Sequence, residues 1–141
     1  MRALAFLISI LFLFGCQTEE SKEDGVDDID YSHFQKDDFS DGDSLKFEGK
    51  LGDIDVIVDL KLVLISTGWK LNGELIHKSV GVPIPLSGFM SEDGVAHLKE
   101  FAFGNLIATW KGDIFIDNFS GSWMSDTTSQ KGHSLSFNLK K

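Results

Sequence analysis

Histidine is the side chain best suited to metal binding or acid–base catalysis near neutral pH, and this chain has four of them: His33, His77, His97 and His133. No two lie within five residues of each other, so the sequence lacks the HxH or HxxxH pair that often ligates a metal. Strand pairing could still bring His77, His97 and His133 together, but solvent-exposed histidines explain the pattern more simply. We therefore predict no metal site and no cofactor.

A second possible metal site is the acidic stretch from Asp37 to Glu48, which partly matches a calcium-binding loop. With Asp37 at position 1, Gly42 falls at position 6 and Glu48 at position 12, as in that motif. Phe39, however, occupies position 3, where an oxygen ligand belongs, and no helix is predicted on either side. A chance match within an acid-rich segment is the simpler explanation, with weak calcium binding as the alternative.

Among the carboxylates, Glu100 is the candidate for a buried acid or base, because it shares one strand face with Leu98 and Ala102. A position at the rim or on the exterior is more common for a glutamate. The stretch Gly121-Ser122-Trp123 lacks the Gly-x-Ser-x-Gly spacing of a nucleophile elbow. No set of residues supplies a nucleophile, a base and oxyanion donors together, so we predict a binding protein rather than an enzyme.

Aromatic and apolar residues offer a different kind of site. Each of the three tryptophans shares its strand face with an apolar neighbour, so we expect the rings to point towards the interior of a β-domain. There they either fill the core or line a cavity that stacks on a sugar or an apolar ligand. The residues predicted to line such a cavity are Trp69, Leu71, Trp110, Trp123 and Phe137.

Cys16 is the only cysteine, and it follows a short cationic start and the apolar run Ala3–Phe14. This layout is that of a secretory signal, and the run is shorter than the roughly 20 residues needed to span a bilayer. The stretch Leu13-Phe14-Gly15-Cys16 resembles the lipobox of bacterial lipoproteins. The resemblance implies removal of residues 1–15 as a signal peptide, thioether lipidation of Cys16, and acylation (palmitate) of its new amino group. It also implies a place in the bacterial cell envelope, where the lipid anchors the protein to the outer membrane.

Residues 17–44, directly after Cys16, carry eleven acidic residues against two lysines, whereas residues 45–141 carry eleven against ten. Because the first segment is acidic and poor in aliphatic residues, we predict a disordered tether over 16–44. Gln17-Thr18-Glu19-Glu20 resembles the acidic export signal of some Bacteroidota lipoproteins, which implies the cell surface as an alternative to the periplasmic face. With no basic excess, the chain gives no electrostatic reason to bind nucleic acid.

From Leu45 onwards the sequence alternates apolar and polar residues, as half-buried β-strands do. The clearest run is 54–64, in which Ile, Val and Leu occupy every second position. Turn-forming Gly, Asn and Asp residues separate the runs, and no window favours a helix. The predicted strands cover residues 45–50, 54–65, 69–78, 82–90, 95–103, 106–116, 119–124 and 133–140.

Eight consecutive strands joined by short turns predict an all-β fold, an antiparallel up-and-down meander over residues 45–141. Closing this meander into a small barrel, lipocalin-like in general shape, removes both exposed edges; a sandwich or a half-open sheet is the alternative. Pro83 and Pro85 cannot donate to a ladder, so part of the fourth strand should be unpaired. Mid-strand glycines should mark bends or close backbone approach. They are Gly49, Gly73, Gly88, Gly112 and Gly121.

The predicted domain is similar in general shape to small extracytoplasmic meander barrels, among them lipocalin-like binders and the barrel-shaped lysozyme inhibitors of Gram-negative bacteria. The resemblance implies binding, and two classes of partner follow. A carrier of a small ligand or an envelope glycan needs an interior cavity lined by the aromatic residues named above. A protein-binding inhibitor or adhesin instead needs an exposed patch on loops such as 79–85 or 124–132. A small hydrolase is the least favoured hypothesis.

Overall fold

The computed structural model describes residues 38–141, which form eight β-strands and no α-helix. The strands are β1 (Ser44–Leu51), β2 (Ile54–Ile65), β3 (Gly68–His77), β4 (Pro83–Ser91), β5 (Val95–Ala102), β6 (Asn105–Ile114), β7 (Asn118–Ser125) and β8 (Ser134–Lys140). Every strand expected from the alternation is present, and the observed bounds differ from the expected ones by at most two residues. The predicted signal peptide, the lipidated Cys16 and the tether up to residue 37 lie outside the described residues.

Each strand pairs antiparallel with the next one in the sequence, and β8 returns to pair with β1, so the sheet closes into a barrel. The predicted meander barrel is thereby confirmed, and the sandwich alternative is excluded. Since consecutive strands run in opposite directions, their connections alternate between the two ends of the barrel. We call the loop end the one with the β1–β2, β3–β4, β5–β6 and β7–β8 connections. The Asp38 end is the opposite one, where residues 38–43 precede β1.

Side chains fill the interior of the barrel, because the period of two places one face of every strand inside. Phe119 and Phe137 pack edge-on with ring centroids 4.7 Å apart, and the ring of Trp110 lies 4.9 Å from that of Phe137. Leucine, valine and methionine side chains from the other strands complete one buried cluster. Protein interiors pack as densely as organic crystals, so this cluster forms a solid core.

The residues just before β1 belong to the same core. Phe39 is buried, and its ring meets that of Trp69 edge-on at 6.0 Å. The backbone carbonyl of Asp43 accepts a hydrogen bond of 2.8 Å from the amide of Leu62 on β2. Residues 38–44, which we expected in the tether, therefore pack onto the Asp38 end of the barrel ahead of the expected domain boundary.

Close backbone approach explains several of the mid-strand glycines. A Cβ added at Gly88 would lie 1.8 Å from the carbonyl oxygen of His97 on β5. Gly112 and Gly121 face each other across β6 and β7, where a Cβ on either would meet a backbone oxygen at 2.1 Å. Neighbouring strands approach this closely only where no side chain separates them, so the expectation for these glycines is confirmed.

The start of β4 is unpaired on one side, as the prolines predicted. β4 pairs with β5 only from Leu86 to Met90, which leaves Pro83 and Pro85 outside that ladder. The β5–β6 pairing shifts register between Glu100 and Phe101 and then continues to the end of β5. The tip of the β5–β6 hairpin therefore extends without β4 beside it.

Candidate functional site

The five residues predicted to line a ligand cavity all point into the barrel. Trp69, Leu71, Trp110 and Phe137 are buried, and Trp123 is partly buried against the same cluster. Their side chains pack against one another and against those of neighbouring strands. A ligand-binding role for them stays a prediction, and it would require this packed core to open.

A groove of about 680 Å³ lies on the outer face of the barrel and crosses β3 to β7. Most of the side chains that line it point away from the core, because they occupy the positions between the buried ones in each strand. Ligand pockets in proteins have volumes of roughly 300–1,000 Å³, and the groove falls within this range. We take it as the candidate functional site.

Two neighbouring cross-strand rows of side chains form the groove. The first row consists of Lys70 on β3, Phe89 on β4, His97 on β5 and Lys111 on β6. The second row consists of Ser87 on β4, Lys99 on β5, Thr109 on β6 and Met124 on β7. Adjacent strands are about 4.8 Å apart, so the first row spans roughly 15 Å between its two lysines.

A stacked pair of rings lies at the centre of the first row. The ring centroids of Phe89 and His97 are 5.3 Å apart, and the ring planes are inclined by 14°. Phe89 is 51% exposed and His97 is exposed as well, so the pair faces solvent. We call it the aromatic platform. An aromatic surface of this kind can stack against a planar or ring-shaped ligand.

Three lysines, Lys70, Lys99 and Lys111, give the groove positive charge. All three are exposed, and within residues 38–141 none of them forms an ion pair with a carboxylate. Among residues 38–141, no aspartate or glutamate lines the groove. By contrast, the lysines of β1 and of the β3–β4 turn are paired with acidic side chains. Within the described part of the chain, the groove therefore offers cations that have no acidic partner.

Sequence reasoning missed this groove, although one local signal pointed to it. Phe89 lies between the inward positions Gly88 and Met90, so it is a large apolar residue at an outward position of the strand. The lysines gave no such signal, because lysine is common on any solvated strand face. Only the registers of four strands, β3 to β6, bring the lysines and the aromatic platform together.

Glu100 points into the barrel and is buried. Of the two positions expected for it, the structure therefore shows the buried one, which is less common for a glutamate than the rim or the exterior. Its Oε2 accepts a hydrogen bond of 3.1 Å from Nε1 of Trp110 and one of 2.9 Å from Nε1 of Trp123. These two N–H donors replace part of the hydration that the carboxylate loses on burial. Glu100 does not line the groove, and it acts on the core by holding two indole rings in place.

The three described histidines lie in different parts of the barrel. His77 ends β3, His97 belongs to the groove, and His133 directly precedes β8. His33 lies outside the described residues. Across residues 38–141, no group of three or more His, Cys, Asp or Glu side chains could hold a metal ion.

Two carboxylates of the calcium-like stretch, those of Asp41 and Asp43, accept hydrogen bonds from backbone amides. Asp43 accepts a hydrogen bond of 2.7 Å from the amide of Ser40, and Asp41 accepts one of 2.9 Å from the amide of Leu64. Asp37, the first position of the supposed loop, lies outside the described residues. In this structure the stretch fastens the Asp38 end of the barrel to β2.

The loop end carries a second exposed surface, made of apolar side chains. Val80 and Val82 lie in the β3–β4 connection, and Phe103 and Leu106 lie at the β5–β6 hairpin. Phe103 is fully exposed and has a φ of 51°, a left-handed conformation that residues other than glycine rarely adopt. The loops predicted for protein binding, 79–85 and 124–132, lie at this same end.

In the described part of the chain, no helix has the length and apolar character needed to cross a bilayer. Comparisons of the chain with protein-family models, with curated proteins and with solved structures found no match.

Proposed function

We propose that this protein is a membrane-anchored extracytoplasmic lipoprotein whose barrel domain binds a ligand without catalysing a reaction. The lipid on Cys16 holds it to the outer membrane, at the periplasmic face or at the cell surface. The outer groove binds a small ligand or a glycan of the cell envelope. The observation that carries this proposal is the solvent-facing aromatic platform of Phe89 and His97 inside a groove of about 680 Å³.

The side chains of the groove support a carbohydrate ligand. The platform offers an apolar surface against which the C–H face of a sugar ring can pack. The hydroxyl groups of Ser87, Thr109 and Ser122 line the same groove and can donate or accept hydrogen bonds. Because the groove lies on the outer face and crosses five strands, an oligosaccharide can lie along it without entering the core.

The placement of the ionisable groups supports binding without catalysis. Glu100, the buried carboxylate, faces the core and bonds to two indoles there. His97, the histidine of the groove, stacks on Phe89, and no carboxylate of residues 38–141 lines the groove to orient it as a base.

The test of the groove is the substitution Phe89→Ala, with Phe103→Ala as the matched control at an exposed phenylalanine outside the groove. Calorimetric titration with cell-envelope oligosaccharides measures the affinity. We expect Phe89→Ala to weaken binding by about tenfold, or about 1.4 kcal/mol, and Phe103→Ala to bind as the unmodified protein does. Equal binding by Phe89→Ala and the unmodified protein would show that the groove is not the site.

The anchor is tested separately by Cys16→Ser. After cell fractionation we expect the unmodified protein in the membrane fraction, and the variant as a soluble form or a retained precursor. If the variant partitions into membranes as the unmodified protein does, Cys16 is not the anchor.

A protein-binding inhibitor or adhesin is the second candidate, and the exposed apolar loop end favours it. Inhibition of a purified lysozyme can be measured with the unmodified protein, with Phe103→Ala and with Phe89→Ala as the control. This candidate predicts inhibition that Phe103→Ala reduces and Phe89→Ala leaves intact. Absence of inhibition by the unmodified protein would remove the lysozyme-inhibitor form of it.

A further inference from the structure

We infer that the ligand of the groove is an anionic oligosaccharide, whose sugar units carry carboxylate or phosphate groups. The inference rests on the proposed function, in which the groove binds a glycan, and it specifies the charge of that glycan.

The three lysines, which have no acidic partner among residues 38–141, surround the aromatic platform. Lys70 and Lys111 flank it in the first row, and Lys99 lies in the second row, two residues along β5 from His97. Because the first row spans roughly 15 Å, the ammonium groups are spread along the groove instead of converging on one point. This distribution fits a chain with several anionic groups better than it fits a single small anion.

Acidic residues border this cationic strip on both sides. On β6, Asp113 is the next outward residue after Lys111 of the first row. On β3, Asn72 pairs with Ser87 of the second row, and Glu74 is the next outward residue after it. Both lie one row beyond the groove, and neither lines it. The positive potential is therefore confined to two rows, which favours an anionic chain aligned with the rows and disfavours one that crosses them.

Lysine is suited to this kind of ligand. Its ammonium group is a compact charge on a flexible stem, so it can pair with a carboxylate or a phosphate without the bidentate geometry that arginine provides. After Arg2 the chain contains no arginine. The groove thus recognises a sugar ring that lies next to negative charges. It accepts carboxylate and phosphate groups alike, because lysine imposes no fixed geometry on the anion.

Membrane surfaces and nucleic acids also carry repeated negative charges, but the rest of this protein disfavours both. Over the whole chain, 22 acidic residues oppose 13 lysines and arginines. A membrane surface or a nucleic-acid duplex would meet these acids as well as the strip, whereas a single oligosaccharide chain meets only the strip; the single-stranded oligodeoxynucleotide in the test covers the remaining case. We therefore commit to the oligosaccharide and treat the other two as outcomes of the test.

The test uses the full chain with Cys16→Ser, so that no lipid inserts into the vesicles and no detergent dissolves them, and a triple variant of it, Lys70→Gln with Lys99→Gln and Lys111→Gln. The matched control is Lys131→Gln with Lys140→Gln and Lys141→Gln, which removes the same charge from exposed lysines outside the groove. The probes are an oligogalacturonate, a neutral oligogalactan of equal length, a single-stranded oligodeoxynucleotide, and phosphatidylglycerol-containing vesicles. Circular dichroism confirms that each variant is folded.

We expect the oligogalacturonate to bind more tightly than the neutral oligomer, and to weaken as NaCl rises from about 50 to about 300 mM. The groove triple variant should lose about tenfold in affinity, while the control triple variant changes little. The oligodeoxynucleotide and the vesicles should bind more weakly than the oligogalacturonate.

Three sets of results would overturn the inference, and they can be told apart. If both oligomers bind equally, and binding depends on Phe89 but not on the lysines, the proposed function stands and the charge preference fails. If the oligodeoxynucleotide or the vesicles bind as tightly as the oligogalacturonate, the site is not specific for an oligosaccharide. If neither oligomer binds, the proposed function fails and the inference fails with it.

Discussion

The indole nitrogen of Trp123 donates a hydrogen bond of 2.9 Å to Oε2 of Glu100, across a separation of 23 residues in the sequence. The indole of Trp110 donates to the same oxygen at 3.1 Å. One buried carboxylate therefore joins β5 to β6 and β7 from inside the barrel. A buried charge is costly unless such donors compensate it, and these bonds make Glu100 a structural residue of the core.

We predict that Glu100→Leu destabilises the barrel and that Glu100→Gln does so much less. Leucine leaves two indole N–H groups without their acceptor, and each buried donor left unsatisfied costs about 1–3 kcal/mol, so a loss of about 2–6 kcal/mol in unfolding free energy is expected. Glutamine keeps an oxygen at this position. Urea denaturation at neutral pH measures the difference; equal stability of the two variants would contradict the role of the indole bonds.

Gly88→Ala should destabilise the barrel because of the close approach between β4 and β5. The new methyl group would overlap the carbonyl oxygen of His97, which is backbone and cannot move aside without separating the strands. We expect a loss of about 3 kcal/mol or more, at the upper end of overpacking effects. Ser87→Ala, on the same strand, is the control and should change stability little. Both can be compared by thermal unfolding, and a fully stable Gly88→Ala protein would argue against this packing.

Phe103→Asn should stabilise the protein. Phe103 and Gly104 both have positive φ, at 51° and 79°, as the central residues of a type I′ hairpin turn do, and Asn-Gly is the preferred pair there. Because the phenylalanine is fully exposed, its replacement removes no core packing. We expect a gain of about 1 kcal/mol, seen as a higher Tm. Leu106→Asn, outside the turn, should give no such gain.

The ion pair between Glu48 and Lys78 makes a small contribution that depends on pH. The ammonium of Lys78, which donates a hydrogen bond of 2.7 Å to Glu48, holds the pKa of that carboxyl below its usual 4.5. A carboxyl with a lowered pKa stabilises the fold at pH values above its unfolded pKa, and this contribution is lost as the pH falls through the folded pKa. The same hydrogen bond raises the pKa of Lys78. The stability that the charged Lys78 contributes is therefore lost only at high pH, as the pH rises through this raised pKa.

Lys78→Gln should therefore return the pKa of Glu48 towards its usual value. An NMR titration of the Glu48 side-chain carboxyl measures this directly. Lys50→Gln, which removes the partner of Asp55, is the control and should leave the Glu48 titration unchanged. An unshifted Glu48 titration in Lys78→Gln would mean that the contact is not formed in solution.

The sequence predicted the strands well because their signal is local. In β2 the alternation from Ile54 to Leu64 placed both ends of the strand correctly. Phe39 was harder to assign, because its acidic neighbours resemble a disordered segment while its own ring packs on Trp69. The alternation also allowed an inward Glu100, but its two partners come from β6 and β7, at sequence separations that no local pattern covers.

The groove could not be predicted from the sequence for a related reason. Lys70 and Lys111 are separated by 41 positions, and they become members of one row only through the successive registers of β3 to β6. A shift of one residue in any of these pairings would send one of them to the other face of the sheet. Cross-strand registers are set by the packing of the whole barrel, so the site emerges only with the complete fold.

The seam between β1 and β8 also governs when the barrel can form. It joins the first and last strands of the domain, through pairs such as Glu48 with Lys140 and Leu51 with Phe137. During synthesis β1 and β7 keep open edges until β8 emerges, and the aromatic cluster lacks Phe137. Until β8 is made, the chain is therefore an open meander and not a barrel. The timing of folding is then set by the seven residues of its final strand.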